Sequence, residues 1–124
     1  MEEEKLKKRL TRQEYHVLRE KGTEPPFSGR YNSNKKKGVY YCKVCGNKLF
    51  ESDKKFDSGT GWPSFFDVDK DAVSLKEDKS HGMIRTEVVC KKCGSHLGHL
   101  FDDGPKPTGK RYCINSVSLD FKED

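Results

Sequence analysis

The sequence predicts a mainly β fold, with antiparallel sheets forming a sandwich or open barrel and helix confined to the N-terminus. Three observations carry that expectation. From Gly38 onward, short runs of β-forming residues alternate with turn-rich segments. Before Gly38 the only sustained pattern is helical, and it ends by Lys21. Within the strand-rich part, a C-x-x-C-G-x-x-L segment occurs twice, at Cys42–Leu49 and Cys90–Leu97.

Residues 1–22 read as helix in two pieces, broken near Leu10. Thr11-Arg12-Gln13-Glu14 fits a capping box, with Thr11 as N-cap and Glu14 reaching back from the third helical position. Leu10 and Tyr15 then stand where a hydrophobic staple would put them, and Gly22 is the expected stop. Leu10, Tyr15, Val17 and Leu18 make only a narrow apolar stripe, so this helix is expected on the outside of the domain. Residues 23–37 form a connector. Thr23-Glu24-Pro25-Pro26-Phe27-Ser28-Gly29 is stiff because proline fixes φ and keeps the residue before it extended.

Residues 38–121 hold the expected β core. Its candidate strands are Val39–Cys42, Lys48–Phe50, Ala72–Leu75, Arg85–Cys90, Leu97–Phe101, Arg111–Ile114 and Val117–Phe121. Asp57-Ser58-Gly59, Asp102-Asp103-Gly104-Pro105 and Pro107-Thr108-Gly109 supply the turns.

A chain of 124 residues corresponds to one domain spanning 1–124. Only 31% of residues are hydrophobic while 36% are charged, so the core is thin and a cross-link would help it. No apolar run approaches the ~20 residues of a membrane helix. Met1-Glu2-Glu3-Glu4-Lys5 is not a secretory signal, which leaves the cytoplasm as the expected compartment. The net charge of +5 and the run Lys35-Lys36-Lys37 raise a nucleic-acid partner. Acidic residues interspersed throughout favour a solvated loop instead.

Four of the five cysteines fall in the paired C-x-x-C segments: Cys42, Cys45, Cys90 and Cys93. Four thiolates are the soft tetrahedral ligand set of a closed structural zinc site, and one zinc ion is expected. Gly46 and Gly94 follow at once and permit the left-handed turn that a knuckle needs. Disulfides would require an oxidising compartment. A thioredoxin-like dithiol would need only one pair and a βαβ setting. The long gap between the pairs means that the metal staples distant parts of the fold.

Cys113 stands apart, in Arg111-Tyr112-Cys113-Ile114-Asn115-Ser116. A lone cysteine is by default a small buried apolar residue. On a strand, however, Arg111 and Asn115 share its face, and a guanidinium there stabilises a thiolate. His96 and His99 follow the second knuckle; with the tetrahedral set already complete, acid or hydrogen-bonding roles suit them better than metal ligation. Either is also compatible with a satisfied structural histidine. Trp62 is the only tryptophan, flanked by Gly59, Gly61 and Pro63. That setting fits a presented aromatic wall better than a core residue, and such a wall suits a small apolar group such as a methyl.

With these residues in place, the chain resembles the methionine-R-sulfoxide reductases of the B type. The resemblance lies in TEPPFSG (23–29), GWPSF (61–65), SHGMIR (80–85), HLGHLF (96–101), DGP (103–105), RYCINS (111–116) and both cysteine pairs, in the family's order over about residues 10–121. It implies two antiparallel sheets, N-terminal helices and a zinc site away from the reacting centre. It further implies reduction of the R epimer of methionine sulfoxide, chiefly in oxidised proteins. Cys113 would be the nucleophile, leaving a sulfenic acid on attack. His96, His99 and Asn115 would surround the sulfoxide, Trp62 would hold its methyl, and Arg111 would assist the cysteine. His81 and Phe101 would support substrate binding. Many members carry a resolving cysteine at the position of Thr60; its absence here implies a one-cysteine cycle, regenerated by thioredoxin or another external thiol. The expected partners are thus oxidised protein substrate and a thiol reductant, with no membrane and with the chain a monomer. The competing class is a zinc-knuckle binding module for nucleic acid or protein, which accounts for the charge and four cysteines but leaves Cys113, His96, His99 and Trp62 as coincidences.

Overall fold

The computed structural model describes residues 3–124, except for the His81 side chain. Two helices come first, α1 (Glu3–Arg9) and α2 (Arg12–Glu20). The break at Leu10 and the reciprocal capping box of Thr11 and Glu14 are both present. Met1 and Glu2, the start of the expected helical stretch, lie outside the described residues. The stop differs by one residue from expectation: Lys21, not Gly22, takes the left-handed conformation, at φ 59°. Gly22 then donates its N–H to the His16 carbonyl at 2.9 Å, which satisfies one of the open carbonyls at the helix end. The helices do not merely lie outside. Leu6, Leu10 and Leu18 join the core, and α2 packs on the β7 strand described below.

Nine strands follow among the described residues: β1 (Gly38–Cys42), β2 (Lys48–Glu51), β3 (Lys55–Phe56), β4 (Ser64–Phe65), β5 (Val73–Asp78), β6 (Arg85–Cys90), β7 (His96–Phe101), β8 (Arg111–Ile114) and β9 (Leu119–Glu123). They form two sheets, all of whose pairings are antiparallel: three strands in the order β2–β1–β9, and six in the order β3–β4–β8–β7–β6–β5. The expected strands stand, with shifted ends. The last begins at Leu119 because Ser116–Ser118 makes a 3-10 turn, and the strand expected at Ala72–Leu75 runs on to Asp78. β3 and β4 were not expected. Each has only two residues, too few for an alternation to register.

Aromatic rings join the two sheets. Phe50 of β2 stacks on Phe65 of β4 at 4.2 Å, and Tyr40 of β1 meets Phe65 edge-on at 5.2 Å. These rings, with Leu49, Val88, Leu97, Ile114 and Leu119, are buried between the sheets. Among the described residues, no helix is long and apolar enough to cross a membrane.

Candidate active site and metal-binding site

Strand register builds the site around Cys113. Cys113 on β8 stands directly across from His99 on β7 and from Ser64 on β4. Glu87 on β6 continues the row beyond His99. Directly opposed residues of a pleated sheet share a face, so these four form one line across four strands. Along β8 the alternation is clean: Tyr112 and Ile114 are buried in the core, while Arg111 and Cys113 are half-buried on the other face.

Each histidine is held by a carboxylate. His96 Nδ1 lies 2.7 Å from Glu87 Oε2, and His99 Nε2 lies 2.8 Å from Asp78 Oδ2. The two rings meet edge-on with centroids 5.4 Å apart. His96 Nε2 is buried without a partner among the described residues. Burial lowers the proton affinity of His96, and the Glu87 hydrogen bond opposes that. Asp78 is held well below the usual carboxylate range, first by its bond with His99 and then by those from Ser80.

The Trp62 loop is clamped from the 24–27 segment. Trp62 Nε1 donates to the Glu24 carbonyl at 2.9 Å, and the Phe27 N–H donates to the Gly61 carbonyl at 2.7 Å. Gly61 sits at φ 99°, and a β-carbon there would lie 2.7 Å from Pro26 Cβ and 2.9 Å from Phe27 Cδ2. Only glycine fits so strained and so crowded a position. Glu24 is the hub of this clamp. Its N–H donates to Asn115 Oδ1 at 3.0 Å, and its Oε1 accepts the Val117 N–H at 3.0 Å. Asn115 Nδ2 donates in turn to the Leu97 carbonyl at 3.0 Å, so its amide is engaged at both ends.

Burial pushes the Cys113 thiol up. Three influences pull it back: the Arg111 charge, the facing Thr60 hydroxyl, and a hydrogen bond from Arg111. Thr60 belongs to a short hydroxyl chain, with Ser58 Oγ 2.8 Å from Thr60 Oγ1 and 2.7 Å from Ser64 Oγ. Arg111 is itself fixed. It makes a two-pronged pair with Asp103, at 2.7 and 3.1 Å, and lies 4.3 Å over the Phe101 ring. Phe101 is thus the floor beneath the guanidinium.

The fold therefore gathers Cys113, His99, His96 and Arg111 on adjoining strands. Trp62 lies between Thr60, which faces the thiol, and Pro63, whose carbonyl accepts the Ile114 N–H at 2.9 Å. His81 falls in the 3-10 turn Ser80–Gly82, and its side chain is outside the described residues. Sequence reasoning missed Glu24, Asp78 and Glu87. Glu24 stood inside a quoted motif without a role. Asp78 and Glu87 reach their histidines only through strand pairing, although an acidic residue beside Val88-Val89 in a strand was a usable signal.

The two cysteine knuckles are copies in conformation as well as in sequence. Cys42 N–H donates to the Asn47 carbonyl at 2.8 Å, and Cys90 N–H to the Ser95 carbonyl at 2.9 Å. Gly46 and Gly94 sit at φ 77° and 76°, and each donates to the carbonyl of the first cysteine of its pair. The four Sγ atoms lie within 4.8 Å of one another, with Cys42–Cys93 at 3.7 Å and Cys45–Cys90 at 3.5 Å. Sulfurs about 2.3 Å from a tetrahedral ion stand about 3.8 Å apart, so the cluster fits one metal ion. The donor chemistry agrees: burial, and then the adjacent Cys90 thiol, push Cys45 up to about 11, which a central cation would reverse. The first knuckle joins β1 to β2 and the second joins β6 to β7, so an ion held here ties the two sheets together. Each helix also grips a knuckle: Arg9 donates to the Val44 carbonyl at 2.7 Å, and Arg19 to the Cys93 carbonyl at 3.3 Å.

The chain matches the SelR domain family over residues 10–123. It is 68% identical over 123 residues to the peptide methionine sulfoxide reductase MsrB of Methanosarcina barkeri, covering 98% of this chain and 87% of that one. The protein of the same name from Methanosarcina mazei is 63% identical over 123 residues, covering 98% and 88%. The mitochondrial methionine-R-sulfoxide reductase B3 of Mus musculus is 58% identical over 120 residues, covering 96% of this chain and 47% of that one. A solved structure, the Mis18 Yippee-like domain, shares the fold alone: TM-score 0.57 and 17% identity over 70% of this chain and 96% of that one. A family match spanning nearly the whole chain, with relatives this similar, places it: the chain belongs to the SelR domain family of B-type methionine sulfoxide reductases.

Proposed function

We propose that this chain reduces the R epimer of methionine sulfoxide to methionine with Cys113 as its nucleophile. One observation carries the residue assignment: the register that sets His99 directly across from Cys113, with Arg111 on the same face of β8. The Cys113 thiolate attacks the sulfoxide sulfur while an imidazolium of the His96–His99 pair gives its proton to the sulfoxide oxygen. Attack forms a transient S–S bond. The protonated oxygen then passes from the methionine sulfur to the Cys113 sulfur as the S–O and S–S bonds break, leaving Cys113 as a sulfenic acid and the S–S electron pair on the methionine sulfur. The sulfoxide gains two electrons and the cysteine sulfur loses two, and methionine departs. Trp62 walls the methyl group, with its indole oriented by Glu24. Arg111 holds the thiolate, and Phe101 and Asp103 hold Arg111. Asn115 positions the Glu24 segment against β7.

An external thiol then attacks the sulfenic sulfur and releases water. A second thiol reduces the mixed disulfide and restores Cys113. Thr60 supports this one-cysteine cycle, because it puts a hydroxyl where a resolving thiol would stand. Thioredoxin, another dithiol protein or a small thiol fits the chemistry, and oxidised proteins are the main substrate. Cys42, Cys45, Cys90 and Cys93 hold one zinc ion, which braces the sheets and takes no part in turnover. Reduced thiolates at both sites suit the cytoplasm, and the chain acts as a monomer.

The test is reduction of separated R and S epimers of blocked methionine sulfoxide with dithiothreitol, for wild type and Cys113→Ser. Turnover of the R epimer alone, lost by at least about a thousandfold in the folded serine variant, is expected. No turnover of either epimer by metal-loaded protein would sink the proposal and favour a binding module. Near-normal activity in the serine variant would remove Cys113 from its role.

A further inference from the structure

Behind the two histidines lies a charge network that the chemistry above does not use. Glu87 and Asp78 are 4% and 3% exposed, and each holds one imidazole. Two cations reach them. Lys21 Nζ lies 3.4 Å from Glu87 Oε1 and 3.7 Å from Asp78 Oδ1, bridging both carboxylates. Arg85 Nη2 lies 3.6 Å from Asp78 Oδ2. The Ser80 N–H adds a neutral hydrogen bond to Asp78 at 3.0 Å. Lys21 comes from the end of α2, Asp78 from β5, Arg85 and Glu87 from β6, both histidines from β7, and Cys113 faces His99 from β8. Glu24 acts on Cys113 from the 24–27 segment.

Lys21 holds this place in an unfavourable backbone conformation. It is left-handed at φ 59°, although a glycine that would adopt this freely stands one residue later. Side chains kept in such conformations tend to mark function. The turn reverses the chain after α2, which packs on β7, and directs the lysine stem to the end of the β5–β6 hairpin.

The charges balance in an informative way. With both imidazoles neutral, Lys21 and Arg85 offset Asp78 and Glu87. A proton added to His96 is then surplus and readily given up. Without Lys21, one buried carboxylate is balanced only by an imidazolium, which holds its proton more tightly.

We propose that Lys21 is a positioning residue whose ammonium, bridging Glu87 and Asp78, sets the proton affinity of His96, the imidazole that Glu87 holds, and thereby the upper pH limit of sulfoxide reduction. This rests on the imidazolium being the proton donor. Lys21→Gly is the decisive variant, because glycine relieves the left-handed backbone while removing the charge. Wild type, Lys21→Gly and Lys21→Arg, all metal-loaded, would be compared in two ways: imidazole titration by NMR in the resting enzyme, and the pH profile of kcat on blocked R sulfoxide. In Lys21→Gly, both the His96 midpoint and the alkaline limb are expected to rise by about half a pH unit or more. Lys21→Arg should return both towards wild type, with thermal stability no lower in the glycine variant than in wild type. An unmoved His96 midpoint in Lys21→Gly overturns the role of Lys21. A His96 midpoint that rises while the alkaline limb stays put supports the electrostatic effect but overturns the His96 imidazolium as proton donor.

Discussion

Gly98 on β7 lies so close beneath Cys113 on β8 that a β-carbon at position 98 would overlap the Cys113 carbonyl oxygen. The backbone carrying Cys113 is thus pressed against a residue with no side chain. Strand glycines at such close approaches are there for space, not flexibility. Gly98→Ala should displace β8 and destabilise the protein by about 3 kcal/mol, as overpacking does. Thermal melting and turnover on the R sulfoxide would check this. A variant with wild-type melting and kcat would mean that β7 and β8 do not pack as described.

The metal cluster should act as a staple between sheets. Cys45 and Cys93 each come from a different sheet's knuckle, and their partners Cys90 and Cys42 cross over to them. Cys45→Ser is expected to lose the stoichiometric ion and on the order of 5 kcal/mol of stability, in line with the folding energy of structural zinc. Metal content per chain and chemical denaturation measure the two effects. A serine variant that kept one ion per chain and its stability would show that the cluster does not bind metal through all four thiolates.

Cys113 reactivity should depend on pH in a defined direction. Burial raises its thiol above the ordinary range and the Arg111 charge is the largest opposing influence. Alkylation of the resting enzyme by iodoacetamide should therefore keep rising with pH beyond the range of a free thiol. Arg111→Leu removes the opposing charge, so the midpoint moves further up and alkylation at pH 8 falls about threefold to tenfold. The raised value also means that burying the neutral thiol favours folding below the unfolded-state pKa, and that this contribution is lost as pH rises through the folded one. Faster alkylation in Arg111→Leu would contradict the placement of the guanidinium.

After one equivalent of R sulfoxide and no added thiol, Cys113 should carry a sulfenic acid and remain unpaired. Thr60 offers a hydroxyl beside it, and the other four thiols are packed together in the metal cluster. Intact mass spectrometry with a sulfenic-acid trap reads this directly. An internal disulfide formed with release of metal would replace the one-cysteine cycle. Thr60→Cys tests the converse: on turnover, the introduced thiol should form a disulfide with Cys113.

Local pattern made much of the molecule legible in advance. The capping box at Thr11 and Glu14 needs only four consecutive residues, and the paired knuckles need only C-x-x-C followed by glycine. The alternation of Arg111 to Ile114 placed Arg111 and Cys113 on one face before any fold was known. These features depend on backbone chemistry within one turn or one strand, which sequence spacing encodes directly.

Longer-range relations were decided by tertiary structure. The two-residue strand β4 seats Ser64 against Cys113, yet two residues carry no period to detect. Asp78 and Glu87 meet His99 and His96 only because β5, β6 and β7 pair in this register. The left-handed residue after α2 is Lys21, whereas Gly22 was expected; contacts with buried carboxylates of distant strands accompany a conformation that local preference disfavours. Residue types and their spacing determined the chemistry available to this chain: four thiolates for a metal, one cysteine, two histidines and an arginine. Which carboxylate orients which imidazole, and which backbone lies beneath Cys113, depended on strand register, because cross-strand neighbours are set by folding and not by separation along the chain.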